Sequence, residues 1–172
     1  HERTRDSYYR NVRDGGGNSI QQGGTVSGYV AGAIGGIVGG LAIAALGMAY
    51  GAASGRGLWA LPNSISGLIL GARRADTRLF GVATLVGAAL HILLSALFGI
   101  VIVLLAQDFT HAYLATGLVG GAALWLINYL GIGAIHLGAR QVAKLNPVPI
   151  AIGLHLLFGL IASGVAVLIQ RS

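Results

Sequence analysis

The chain has 172 residues, of which 55% are hydrophobic and only 9% charged. A water-soluble domain carries about 25% charged residues, so this chain has too little charge to cover a water-facing surface. The net charge is +6 and there is no cysteine, which excludes disulfides, thiolate metal sites, iron–sulfur ligation and cysteine nucleophiles.

Residues 1–24 are polar and hold four of the eleven basic residues, with a glycine run at Gly15, Gly16 and Gly17. They do not resemble the n-region and h-region of a signal peptide. The composition predicts a flexible or partner-bound tail. The membrane domain follows, at 25–172.

The first spanning helix is predicted at 26–50, the second at 80–106, the third at 113–137 and the fourth at 150–169. None of these stretches contains Asp, Glu, Lys or Arg, and each suffices to cross a ~30 Å hydrocarbon core as a helix. The fold class is therefore all-α, an integral membrane four-helix bundle. Asp76 or Thr77 is expected to cap the second helix, Thr110 the third, and Asn146 with Pro147 and Pro149 to begin the fourth. The short connection 107–112 predicts that the second and third spans form an antiparallel hairpin.

The first connection is too apolar for a free loop. Residues 57–71 read GLWALPNSISGLILG, and Pro62 and Asn63 interrupt them. The expectation is a short interfacial or re-entrant helix over about 57–72, with Trp59 at headgroup level and Arg73, Arg74 and Arg78 reaching lipid phosphates. A fifth, short span is the competing reading. The first and third connections hold Arg56, Arg73, Arg74, Arg78, Arg140 and Lys144, whereas the second holds only Asp108 among charged residues. This bias places the first and third connections in the cytoplasm and both termini outside, in a bacterial or archaeal plasma membrane.

Two halves of the chain look alike. Gly36-Ile37-Val38-Gly39-Gly40 matches Gly117-Leu118-Val119-Gly120-Gly121, and Leu90-His91-Ile92-Leu93-Leu94-Ser95 matches Leu154-His155-Leu156-Leu157-Phe158-Gly159. Two spans per half predict a 2+2 parallel internal repeat about an axis along the membrane normal. In the first span Gly28, Gly32, Gly36 and Gly40 recur at i+4, and a second row runs through Ala31, Gly35 and Gly39. Such rows let helix backbones approach closely. Two smooth rows predict two neighbours, one from this chain and a second from this chain, another subunit, a lipid or a pigment.

His91 and His155 occupy equivalent places, each with small residues four and eight positions later. A histidine above small residues can hydrogen-bond across a helix interface, or can ligate haem b or a chlorin, which needs close backbone approach. Asn128 lies inside the third span and needs a partner there. No span carries a carboxylate or a basic residue, although ion-coupled pumps usually rely on such groups. No hydrolase, metalloprotease or phosphate-loop motif is present.

These readings predict no enzyme and no metal. They favour a non-catalytic accessory or structural subunit of a larger membrane complex, respiratory or photosynthetic, in contact with lipids and other membrane subunits and not with nucleic acid. The alternatives are a haem- or chlorin-binding subunit using His91 and His155, and a small channel or transporter lined by Asn128, Ser95, Ser163 and the histidines.

Overall fold

In a computed structural model the described residues are 26–71, 78–132, 135 and 147–172. They are helical throughout their length apart from short connections, and no strand occurs among them. In chain order the α-helices are α1 (Gly28–Ala53), α2 (Ala60–Leu70), α3 (Val82–Leu105), α4 (Tyr113–Leu126) and α5 (Val148–Arg171). Helices α3 and α4 each run on into a π-helical stretch, Ala106–Thr110 and Ile127–Ile132.

Four of these helices are long and apolar enough to cross a membrane, at 26, 29, 20 and 24 residues with the π-helical extensions included. At ~1.5 Å per residue even the shortest matches a ~30 Å core. This architecture fits an integral membrane protein. Large apolar side chains point outward from the bundle, including Val82 at 73% exposure, Val119 at 70% and Leu168 at 70%. The small and polar ones turn inward: Ala31, Asn63, Ser66, Ala162 and Ser163 are wholly buried.

The helix ends follow local chemistry. Ser27 caps α1 by accepting the Val30 amide. Asp76 and Thr77, expected as caps for the second span, lie outside the described residues. That span instead begins at Val82, with Gly81 at the cap position and its N–H donated to the Thr84 hydroxyl at 3.1 Å. Thr110 accepts the Ala112 amide at 3.2 Å, directly before α4. The reversal there is made by His111 in a left-handed conformation, φ 52°, its amide bonded to the Ala106 carbonyl. Pro147 caps α5 and Pro149 sits in its first turn, where a missing N–H costs nothing.

The first connection contains a regular helix. It begins two residues before Pro62, which therefore occupies the first turn of α2 rather than preceding it. Gly71 ends it at φ 80°, a conformation that suits glycine. Helix α2 packs chiefly on α3 and also touches α1. Its Asn63 is the reason. Asn63 donates to the Leu79 carbonyl at 2.9 Å and accepts from the Thr84 hydroxyl at 2.6 Å, and Ser66 donates to the Asn63 carbonyl at 2.6 Å. Gly87 makes room for this contact, because a Cβ there would lie 2.6 Å from the carbonyl carbon of Pro62.

Both glycine rows of α1 are filled from within the chain. A Cβ on Gly32 would lie 2.7 Å from the Ile100 Cα, and one on Gly36 would strike the Ser95 carbonyl, so the first row packs on α3. In the same row Gly40 faces Ser95 and Gly28 faces the Gln107 side chain. A Cβ on Gly35 would lie 3.1 Å from the Ala162 carbonyl carbon and one on Gly39 3.1 Å from the Phe158 carbonyl oxygen, so the second row packs on α5. The second neighbour foreseen for this helix is therefore α5 of the same chain. Helix α4 packs on α5 through contacts of the same kind, with Gly117 against Gly159 and Ser163, and Gly121 against His155 and Leu156.

The hairpin of α3 and α4 is loosely packed. These consecutive helices touch little. They meet near their connection, where a Cβ on Gly120 would lie 2.8 Å from Ile102 Cγ1 and where Ile102, Leu124, Phe158 and Ala162 form a buried cluster. Away from the connection the two helices splay. The small residues of α3 already face α1 and α2, which leaves bulky Leu94 and Phe98 towards α4.

Candidate functional site

The splay leaves a partly open cavity of about 240 Å³ between the helices. Helix α3 contributes His91, Leu94, Ser95 and Phe98, which share one face at i, i+3, i+4 and i+7. Helix α5 contributes Ala151, Leu154, His155 and Phe158 with the same spacing. Leu124, Asn128, Tyr129 and Ile132 come from α4 and its extension. Leu61, Ile65 and Leu68 of α2 and Ile43 of α1 complete the wall.

The polar groups in this wall are ordered by their partners. His91 Nε2 lies 2.9 Å from the Gly40 carbonyl on α1. A carbonyl only accepts, so Nε2 carries the proton and Nδ1 carries the lone pair. His155 has the opposite arrangement. Its Nδ1–H donates to the Ala151 carbonyl one turn back at 2.8 Å, so Nε2 holds the lone pair. That lone pair accepts from Asn128 Nδ2 at 3.3 Å, which also fixes which end of the Asn128 amide is nitrogen. Tyr129 stands edge-on to the His155 ring at 6.4 Å and stacks on Trp125 at 5.8 Å.

Asn128 and Tyr129 both lie in the π-helical stretch Ile127–Ile132. The wider turn shifts their angular position relative to an α-helix, a device frequent at functional sites. Composition alone carries no sign of it. Nor did the sequence mark Tyr129 or Thr84, and it marked Asn63 only as a break in an apolar stretch; the positions of all three depend on tertiary packing. For Asn63 and Thr84 the usable signal was polarity inside an otherwise apolar stretch.

The structure brings together His91, His155, Asn128 and Ser95. It does not bring Ser163 to them: that hydroxyl is buried against α4 and donates to the Gly159 carbonyl at 2.7 Å. Trp59 is half-buried at the start of α2 and meets Phe80 edge-to-face at 5.0 Å. Arg78 is described and exposed, whereas Arg73, Arg74, Arg140, Lys144 and His136 lie outside the described residues. Among the described residues no three of His, Cys, Asp and Glu come together as a metal site would require.

Chemically the cavity is an apolar chamber with a few neutral hydrogen-bonding groups. Among the described residues neither a carboxylate nor a permanent cation lines it. The class defined by fold and site is thus a helical bundle with membrane-spanning dimensions and a small, partly open chamber between its helices. The chain matches no family model, no curated protein and no solved structure.

Proposed function

We propose that this chain is a non-catalytic subunit of a larger membrane assembly, acting by packing and binding rather than by bond chemistry. The observation that carries the reading is the state of the internal polar groups. His155, Asn128, Asn63 and Thr84 are hydrogen-bonded to one another or to backbone in ways that join helices, and His91 ties α3 to α1. Such bonds are the usual glue between membrane helices. The outward faces of the spans, by contrast, carry exposed large apolar side chains that suit lipid or neighbouring helices.

Three finer features belong to the same proposal. Helix α2 lies at the membrane interface, with Trp59 and the following arginines at headgroup level. The first and third connections are cytoplasmic. The two halves are parallel copies, supported by Gly36 meeting Ser95 and Gly99 as the aligned Gly117 meets Gly159 and Ser163.

Tagged full-length protein, extracted in a mild detergent, tests the proposal. A stoichiometric membrane partner is the expected result. A chain that elutes alone from every mild extraction contradicts it.

A small-solute path is the second reading, favoured by the convergence of Asn128, Ser95, His91 and His155 on one cavity. Solute flux in liposomes that vanishes in Asn128→Leu is its expected signature. The haem or chlorin reading draws less support. Nε2 of each histidine is engaged, on Gly40 and on Asn128, and about 240 Å³ falls below the roughly 300–1,000 Å³ of ordinary ligand pockets.

A further inference from the structure

We infer that the chamber between α3, α4 and α5 is a binding site for a neutral, ring-sized apolar molecule that carries one hydroxyl or carbonyl group. The inference rests on the reading of the bundle as lipid-embedded, and it does not depend on any partner subunit.

Size comes first. An apolar protein cavity of about 150 Å³ holds benzene. The present chamber, at about 240 Å³, has room for one six-membered ring with a few substituents. Charge comes second. With neither a carboxylate nor a lysine or arginine among the described residues of the wall, a charged ligand would be desolvated there without a counter-ion, at heavy cost.

Polarity gives the third constraint. Three wall residues keep unused hydrogen-bonding capacity. His91 donates through Nε2 and leaves the Nδ1 lone pair unpartnered. Asn128 uses one amide hydrogen on His155 and leaves Oδ1 and the other hydrogen unpartnered. The Ser95 hydroxyl makes no side-chain hydrogen bond. All three residues line the chamber, although Ser95 is only 4% exposed and its side chain lies against Gly40. Polar groups this deep in a lipid-embedded bundle are costly to leave unmatched. A hydroxyl can donate to Oδ1 or Nδ1, and a carbonyl can accept from the Asn128 amide or the serine. The hydrocarbon remainder would lie against Leu94, Phe98 and Leu124, which also line the chamber.

Full-length protein in phosphatidylcholine nanodiscs provides the test. The probe is a phenol carrying a small alkyl diazirine opposite its hydroxyl, with adducts located by mass spectrometry. Adducts are expected within residues 91–98, 124–132 and 151–158. Excess 4-ethylphenol should suppress them about fivefold more strongly than ethylbenzene at the same free concentration, the effect of about one hydrogen bond. In Asn128→Leu that discrimination should shrink towards unity, and in Ala151→Phe, which fills the chamber, adducts there should be lost. The competition in the unaltered protein stands even where a variant fails to fold. Adducts scattered over outward residues such as Val119 and Leu168, or equal competition by phenol and hydrocarbon, would overturn the assignment. A chain that binds the phenol but purifies without partners would sink the subunit proposal alone.

Discussion

The seam between α1 and α3 and the gap between α3 and α4 differ although both join neighbouring membrane-spanning helices. In the seam, glycine meets backbone in the first half of α1. Gly32 and Gly36 meet the backbone of Ile100, Gly99 and Ser95 directly, and Gly40 takes the short Ser95 side chain. In the gap, Leu94 and Phe98 of α3 face Leu124, Asn128 and Tyr129, and the helices separate around a cavity. In lipid there is no hydrophobic drive between helices, so the approach of two backbones is set by whether side chains permit it. Proximity in sequence did not decide the matter. The helices joined by the six-residue link 107–112 stand apart, while α1 and α5, at opposite ends of the described chain, pack closely.

Substitution in the closed seam should have the largest effect. Gly36→Leu places a side chain on the Ser95 carbonyl and should cost about 3 kcal/mol, the upper end of the usual range for overpacking. Reversible unfolding in mixed micelles checks it, and Gly117→Leu, against Gly159, should behave alike. A tolerated Gly36→Leu would mean that the seam is not closed.

The contact of α2 with α3 is expected to be intermediate. Thr84→Val leaves Asn63 Oδ1 without its 2.6 Å donor in a buried site and should lower stability by about 1–3 kcal/mol. Proteolysis between α1 and α3 should accelerate with it.

A smaller change is expected from His91→Leu. It removes the bond to the Gly40 carbonyl, and interhelical hydrogen bonds in membranes contribute about 0.6 kcal/mol on average, with a maximum near 1.7. The same unfolding assay measures it, with the carbonyl stretch of Gly40, isotope-labelled, moving to higher frequency.

Gly153→Ala sharpens the contrast from the other side. Nothing lies within 4 Å of a Cβ built there. The substitution should be neutral or stabilising by up to about 1 kcal/mol, since glycine is a poorer helix former than alanine. Destabilisation like that of Gly36→Leu would show that every glycine in the chain is equally constrained.

The four long helices were legible because long uncharged apolar runs have one solution in lipid. Helix α2 was legible in outline from Pro62 and the apolar residues after it, but not its packing, which depends on Asn63 meeting Thr84 across 21 positions of sequence. The glycine rows announced close approach without naming the partner, since a smooth face suits any backbone. Only the fold assigns one row to α3 and the other to α5. The histidines were visible as a pair. Their opposite tautomers were not, because each follows from a carbonyl on a particular turn. The π-helical placement of Asn128 and Tyr129 had no sequence signal, and neither did the chamber it lines.

Central to all of this are helices that cross lipid with connections on alternating sides. The chain has no cysteine, so single cysteines at Ser54, Phe109 and Ser172 can be read without background. In right-side-out vesicles, a membrane-impermeant maleimide should label Phe109→Cys and Ser172→Cys, and should reach Ser54→Cys only after the membrane is opened. Labelling of Ser54→Cys and Phe109→Cys from the same face of sealed vesicles would contradict that arrangement.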